Sequence, residues 1–183
     1  MWNNLIRQHQ RRQLAIDLVK REMRTTPIKS LTGLSDVQIR SLFHLVHQRP
    51  ARAGRIHQAS TLCRNRSLHA RLSVLAALYR QIGGEGVMRR VNAEALIHTY
   101  DLFHEIDEAY TENASAETFD ISDVWVIAQD LSQRKASLPT CKICGLLFVV
   151  TEDPLVPPTC PFCVNRKARR LKHKQAHGDQ VES

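Results

Sequence analysis

The chain has 183 residues, with 26 Lys and Arg against 18 Asp and Glu, a formal charge of +8 and a pI near 9.6. That length holds one ordinary domain, or a domain with a small appended module, and the basic balance favours a polyanionic partner such as nucleic acid. No segment approaches the roughly 20 apolar residues that span a bilayer, and no apolar run or small-residue cleavage site follows the basic opening MWNNLIRQHQRRQ. A secretory signal is therefore not expected, and the protein reads as soluble and cytoplasmic.

Taken in chain order, Leu5, Ile6, Leu14, Ile16, Leu18, Val19 and Met23 stand among Arg, Gln and Lys without Gly or Pro, which predicts a moderately amphipathic helix over 5–23. Thr25, Thr26 and Pro27 close it and open a short helix that ends at Gly33, since Pro suits a helix's first turn. In SDVQIRSLFHLVHQ, Ser35 and Gln38 form the two halves of a capping box. Val37, Ile39, Leu42, Phe43 and Val46 make its apolar side, with Arg40, Ser41 and His44 outward and Pro50 limiting its far end. The stretch from Thr25 to Val46 has the grammar of a helix-turn-helix, and an ordinary core hairpin is the competing reading. The following loop, RPARAGRIH, is basic through Arg52 and Arg55 and tilts the choice towards nucleic acid.

SLHARLSVLAALYRQI is the most apolar helix candidate, burying Leu68, Leu72, Leu75, Ala76 and Tyr79, and is expected at the centre of the domain. Gly83, Gly84 and Gly86 break it as a turn; no Gly-Lys-Ser/Thr signature makes them a phosphate loop. NAEALIHTYDLFHEIDEAY gives another amphipathic helix, and Ser122 is the expected cap of a last one containing Val124, Trp125, Ile127, Ala128 and Leu131. From Val91 to Gln133 there is no Lys or Arg, while Glu94, Asp101, Glu105, Asp107, Glu108, Glu112, Glu117, Asp120, Asp123 and Asp130 are acidic. An acidic middle between basic ends suits a protein that meets an anion at some surfaces and a protein at others.

Past Leu138 and Pro139 the turns shorten and β-formers appear, so the helical part is expected to end near Ser137. Cys141-Lys-Ile-Cys144-Gly145 and Cys160-Pro-Phe-Cys163 are two Cys-x-x-Cys pairs separated by a strand-like LLFVV and a turn, the arrangement of a zinc ribbon. Four thiolates close the shell of a zinc ion and argue for architecture over catalysis, while spacing alone leaves iron open. No His-Glu-x-x-His motif and no His-x-Glu companion to a Pro-Cys-x-x-Cys occurs, so no enzyme is expected. The remaining Cys63 reads as a small buried core residue. After Cys163, Arg166, Lys167, Arg169, Arg170, Lys172 and Lys174 form a basic run without an acid until Asp179. Such a run is either a solvated tail or a set of phosphate contacts, which position a protein without specifying sequence. Specificity is then expected from Gln38, Arg40 and Ser41, with Arg52 and Arg55 in the adjoining loop.

In this order, CKICG, CPFC and RKARRLK, with LSDVQIRSLFHLVHQRPARAG in the helical part, resemble the bacterial flagellar transcriptional activator FlhC family. The resemblance implies zinc held by Cys141, Cys144, Cys160 and Cys163, promoter DNA bound jointly with an FlhD subunit in a hetero-oligomer, and activation through RNA polymerase. The expected fold is mainly α: a helical domain over 1–137 with a helix-turn-helix-like segment, a small four-cysteine zinc ribbon-like module over 138–166 and a basic tail over 167–183. The competing function is a zinc-ribbon module for protein interaction or RNA association, without promoter specificity.

Overall fold

A computed structural model describes residues 2–110 and 118–164. It is mainly helical: α1 (Trp2–Lys20), α2 (Thr25–Thr32), α3 (Asp36–His47), α4 (Ala59–Leu62), α5 (Arg66–Gly83), a 3-10 turn at Glu85–Met88, α6 (Ala93–Tyr110) and α7 (Ile121–Ser132). Two short strands follow, β1 (Ala136–Ser137) and β2 (Val150–Thr151), paired antiparallel with Ala136 opposite Thr151 and Ser137 opposite Val150. Among the described residues no helix is long and apolar enough to cross a membrane.

The helix boundaries follow from local chemistry. Gly33 ends α2 in the left-handed region, at φ +70, which costs a glycine little, and its N–H reaches the Lys29 carbonyl at 2.9 Å. Ser35 then caps α3 reciprocally: Ser35 Oγ accepts from the Gln38 N–H at 3.3 Å and Gln38 Oε1 accepts from the Ser35 N–H at 3.0 Å. Asn65 Oδ1 caps α5 by accepting from the Leu68 N–H, and Gly84, at φ +67, breaks it. Helix α7 is capped by Asp120, not by the expected Ser122. The Asp120 carboxylate accepts from the Ser122 and Asp123 N–H groups while Asp123 accepts from the Asp120 N–H. Ser122, one residue inside the helix, is buried instead and accepts the Arg24 N–H at 3.0 Å, tying the entry of α2 to α7.

The apolar periodicity holds for α5, where Leu68, Leu72, Leu75, Ala76 and Tyr79 are all buried. Yet the most enclosed helix is α7: every residue from Ile121 to Ala128 is buried, as is Leu131, and α4, α5, α6 and the 3-10 turn all pack on it. A helix that is covered all round is a core helix. The expectation that α5 lies at the centre is corrected accordingly; its outer face leaves Val74 and Ile82 partly exposed.

Two further faces differ from the reading of the sequence. On α3, Ile39 and Phe43 are buried, but Val37 is 69% exposed and Val46 also faces outward, because only one narrow strip of the helix meets α1 and α2. On α1, Ala15, Leu18 and Val19 enter the core with Met23 just beyond, whereas residues 4–13 are exposed throughout, Leu5 at 60% and Ile6 at 52%. The first half of α1 runs past the body it belongs to.

Candidate metal centre and nucleic-acid-facing surface

The first cysteine pair is shaped by a tight turn. Gly145 adopts φ +74, donates its N–H to the Cys141 carbonyl at 2.8 Å, and lets the Cys141 N–H reach the Leu146 carbonyl at 2.9 Å. Both thiols of the pair are thereby turned to one side. The second pair lies at the start of a helical turn over 161–164, with the Val164 N–H on the Cys160 carbonyl. Cys141 Sγ lies 3.8 Å from Cys163 Sγ and Cys144 Sγ 3.6 Å from Cys160 Sγ, and all four sulfurs fall within 4.8 Å of one another.

These separations suit a metal ion and not disulfides, whose sulfurs sit at about 2.05 Å. Sulfurs about 2.3 Å from a tetrahedral zinc stand about 3.8 Å apart. Electrostatics points the same way. The Cys141 thiol is drawn down to about 6 by the N–H groups of Cys144 and Ile143, whereas Cys163 is pushed up to about 12, chiefly by the neighbouring Cys144 sulfur. Burial raises Cys160. Four crowded thiols resist ionising together, and a bound cation would remove that repulsion. The cluster can therefore hold a metal ion, and Phe148 packs against Cys141 and Cys160 to cover it on one side.

A pair of residues that the sequence does not single out seats this module on the helical body. His69 and Ser73, one turn apart on α5, are both buried. His69 Nε2 donates to the Val149 carbonyl at 2.7 Å, and Ser73 Oγ accepts from the Val149 N–H at 3.1 Å while donating to the His69 carbonyl at 2.7 Å. Both polar groups of Val149 are satisfied by one helix face, and the His69 ring stands edge-on to Phe148 at 6.5 Å. Val149 itself belongs to the main hydrophobic core along with Ala136 and Leu138. The pairing spans some 80 residues of chain, so no local motif signals it.

Of the expected DNA contacts, Gln38, Arg40 and Ser41 are all exposed on α3. The Gln38 side-chain carbonyl is committed to the cap, Arg40 Nε reaches the Asp36 carbonyl at 3.3 Å, and Ser41 Oγ donates to the Val37 carbonyl at 3.0 Å. Arg52 and Arg55 are exposed on the loop after α3, which is pinned at three points. Arg49 pairs with Glu22, Arg24 Nη1 donates to the Gly54 carbonyl at 3.0 Å, and His57 Nδ1 meets Asp123 Oδ1 at 2.8 Å. Asp123 is a buried carboxyl whose proton affinity is raised, first by burial and then by Asp120. Arg166, Lys167, Arg169, Arg170 and Lys172 lie outside the described residues.

The acidic middle is less of a free surface than composition suggests. Asp101 is bonded at both oxygens by Arg21, at 2.8 and 2.6 Å, Asp107 is bonded likewise by Arg71, and Asp120 and Asp123 serve the α7 cap. Within α6, Glu94 and Glu105 remain exposed.

Compared with known proteins, residues 2–177 match the family model described as flagellar transcriptional activator (FlhC). No curated protein matches the chain. The family match takes in the helical body, the four clustered cysteines and the whole basic run from Arg166 to Lys174, and its description is that of a regulator of transcription, not of an enzyme. The chain belongs to the FlhC family of flagellar transcriptional activators.

Proposed function

We propose that this chain is the DNA-binding subunit of a cytoplasmic activator of flagellar genes, working in a hetero-oligomer with an FlhD-like partner and recruiting RNA polymerase at promoters. The observation that carries the reading is the family match, which runs through helical body and cysteine cluster together. In this reading Cys141, Cys144, Cys160 and Cys163 hold one Zn2+, and its closed thiolate shell acts as architecture. The helical part over 1–137, the zinc module over 138–166 and the basic tail over 167–183 are then successive parts of one DNA-binding subunit.

Arg40 and Ser41 are the base-reading candidates on α3, joined by the amide N–H groups of Gln38. Arg52 and Arg55 on the pinned loop, and Arg166, Lys167, Arg169, Arg170 and Lys172 in the basic run, supply phosphate contacts. Loop pinning supports this role, because a positioned cation loses less freedom on binding than one on a free loop.

The test is a footprint on promoter DNA with the chain and an FlhD-like subunit, alone and mixed, using protein purified without added metal. A discrete footprint that needs both subunits and one zinc per chain by elemental analysis is expected. A footprint absent from the mixture refutes the activator role, and iron or no metal refutes the zinc assignment.

A further inference from the structure

We propose that the projecting half of α1, residues 4–13, is a second DNA-contacting element that enters the major groove of double-stranded DNA. The inference rests on the DNA-binding reading above and adds a surface which that reading does not use.

All ten side chains of this segment are exposed. A helix packed along a body shows solvent one face; one exposed on every side is shaped for surroundings that enclose it. Ten residues give about 15 Å of helix with a diameter of about 10–12 Å, which the major groove, roughly 12 Å wide, admits.

The chemistry is that of a nucleic-acid ligand. Eight of the ten residues, Asn4, Arg7, Gln8, His9, Gln10, Arg11, Arg12 and Gln13, carry hydrogen-bonding side chains, and none is acidic. Arg, Asn and Gln are the side chains that pair in bidentate fashion with guanine and adenine edges in the major groove. Arg7 and Arg12 leave the helix about 140° apart, at 100° per residue, so one helix can address the phosphates of both groove walls.

The segment's own energetics ask for an external anion. A helix of about this length is marginal in water, Arg7 and Arg11 repel one another one turn apart, and no acid stands in the first turn to complement the helix dipole. The first acid is Asp17, held within the helix by Gln13. A phosphate backbone supplies the missing charge.

A protein groove fits less well. Helix-in-groove recognition uses apolar anchors repeated at three- and four-residue steps over at least two turns. Leu5 and Ile6 begin such a seam, but the next positions on that side are His9, Arg12 and Gln13. Two adjacent aliphatic side chains suit a thymine methyl group instead.

The experiment uses the full chain, with its FlhD-like partner where duplex binding requires it, and a fluorescent random-sequence 30-base-pair duplex followed by anisotropy between 50 and 200 mM salt. Arg7→Gln, Arg11→Gln and Arg12→Gln are combined in one variant, and Leu5→Ser and Ile6→Ser in another. All five positions are exposed, so thermal melting is expected to match the parent and confirms folding. Each phosphate contact contributes about 0.9 to the slope of log K against log salt, so the triple variant is expected to lose about 2–3 from that slope and at least tenfold in affinity at 100 mM salt. A duplex whose major groove is filled by glucosylated hydroxymethylcytosine is expected to weaken the parent and to leave the triple variant nearly unaffected. An unchanged slope in the triple variant, with the parent still binding, overturns the role of α1 and leaves the wider reading intact. A parent that binds no duplex with or without the partner sinks both. Loss of partner co-purification in the Leu5/Ile6 variant, with the triple variant's slope unchanged, reassigns the arm to a protein.

Discussion

Replacing Ser73 by Ala removes one oxygen atom, and its effect follows from the seat on α5. Ser73 Oγ is the acceptor for the Val149 N–H, and both residues are nearly inaccessible, Val149 at 1% exposure and Ser73 at 0%. No water reaches the orphaned N–H, so the loss is that of a buried unsatisfied donor, about 1–3 kcal/mol. Alanine's better helix propensity returns about 0.5 kcal/mol, leaving a net destabilisation of about 1.5 kcal/mol. For a protein of this size that is a fall in Tm of about 3–6 °C. If the seat holds the metal module as drawn, the same 1.5 kcal/mol favours undocking, and release of bound metal to a chromophoric chelator accelerates by roughly 13-fold. Thermal melting followed by circular dichroism reads the first quantity, stopped-flow chelation the second, and hydrogen exchange at the Val149 amide locates the effect. Ser30→Ala, on the exposed side of α2, serves as the control and is expected to change none of them. An unchanged Tm together with undiminished protection of the Val149 amide would falsify the seat.

Other substitutions test packing and backbone. A Cβ added at Gly83 would lie 2.2 Å from Val87 Cγ1 and 3.0 Å from Ala95 Cβ, so Gly83→Ala is expected to cost about 1–3 kcal/mol in urea denaturation as the 3-10 turn is forced away. Arg134 follows the cap of α7 in the left-handed region, at φ +62, a position that favours glycine. Arg134→Gly is expected to stabilise by about 1 kcal/mol, and a lower urea midpoint would contradict the strain argument. Burial pushes the Cys63 thiol up to about 12, so folded protein at pH 8 is expected to leave Cys63 unmodified by iodoacetamide until denaturant is added; rapid labelling, read by peptide mass, would place it at the surface.

What could be read from the sequence was mostly what is decided locally. The Ser35–Gln38 box, the stop at Gly33 and the spacing of the cysteine pairs involve residues a few positions apart, and each has the geometry that its residue types demand. The buried face of α5 was legible because a strong apolar stripe has one way to face. Periodicity reports which residues share a side, however, not whether anything lies opposite, and so Leu5 and Ile6 belong to the apolar pattern of α1 yet stand clear of the core. The choice between Ser122 and Asp120 as the α7 cap is a contest between neighbours. Asp120 wins because Asp123 can return its hydrogen bond, freeing Ser122 to meet Arg24. The acids of α6 looked like an open surface because their partners, Arg21 and Arg71, lie far off in sequence. The His69–Val149 pairing was illegible for the same reason.

The Val149 seat bears on how this chain can be taken apart. Cleaving after Ser137 would withdraw Leu138 and Val149 from the same core that holds α7, and would take from His69 Nε2 and Ser73 Oγ the Val149 backbone groups they bond. Neither fragment would be a smaller version of the whole: the body would keep a wound on α5, and the excised cysteine module would lose the face that orients it. Grafting the metal module onto a foreign carrier therefore means transplanting a helix with histidine and serine four residues apart along with it.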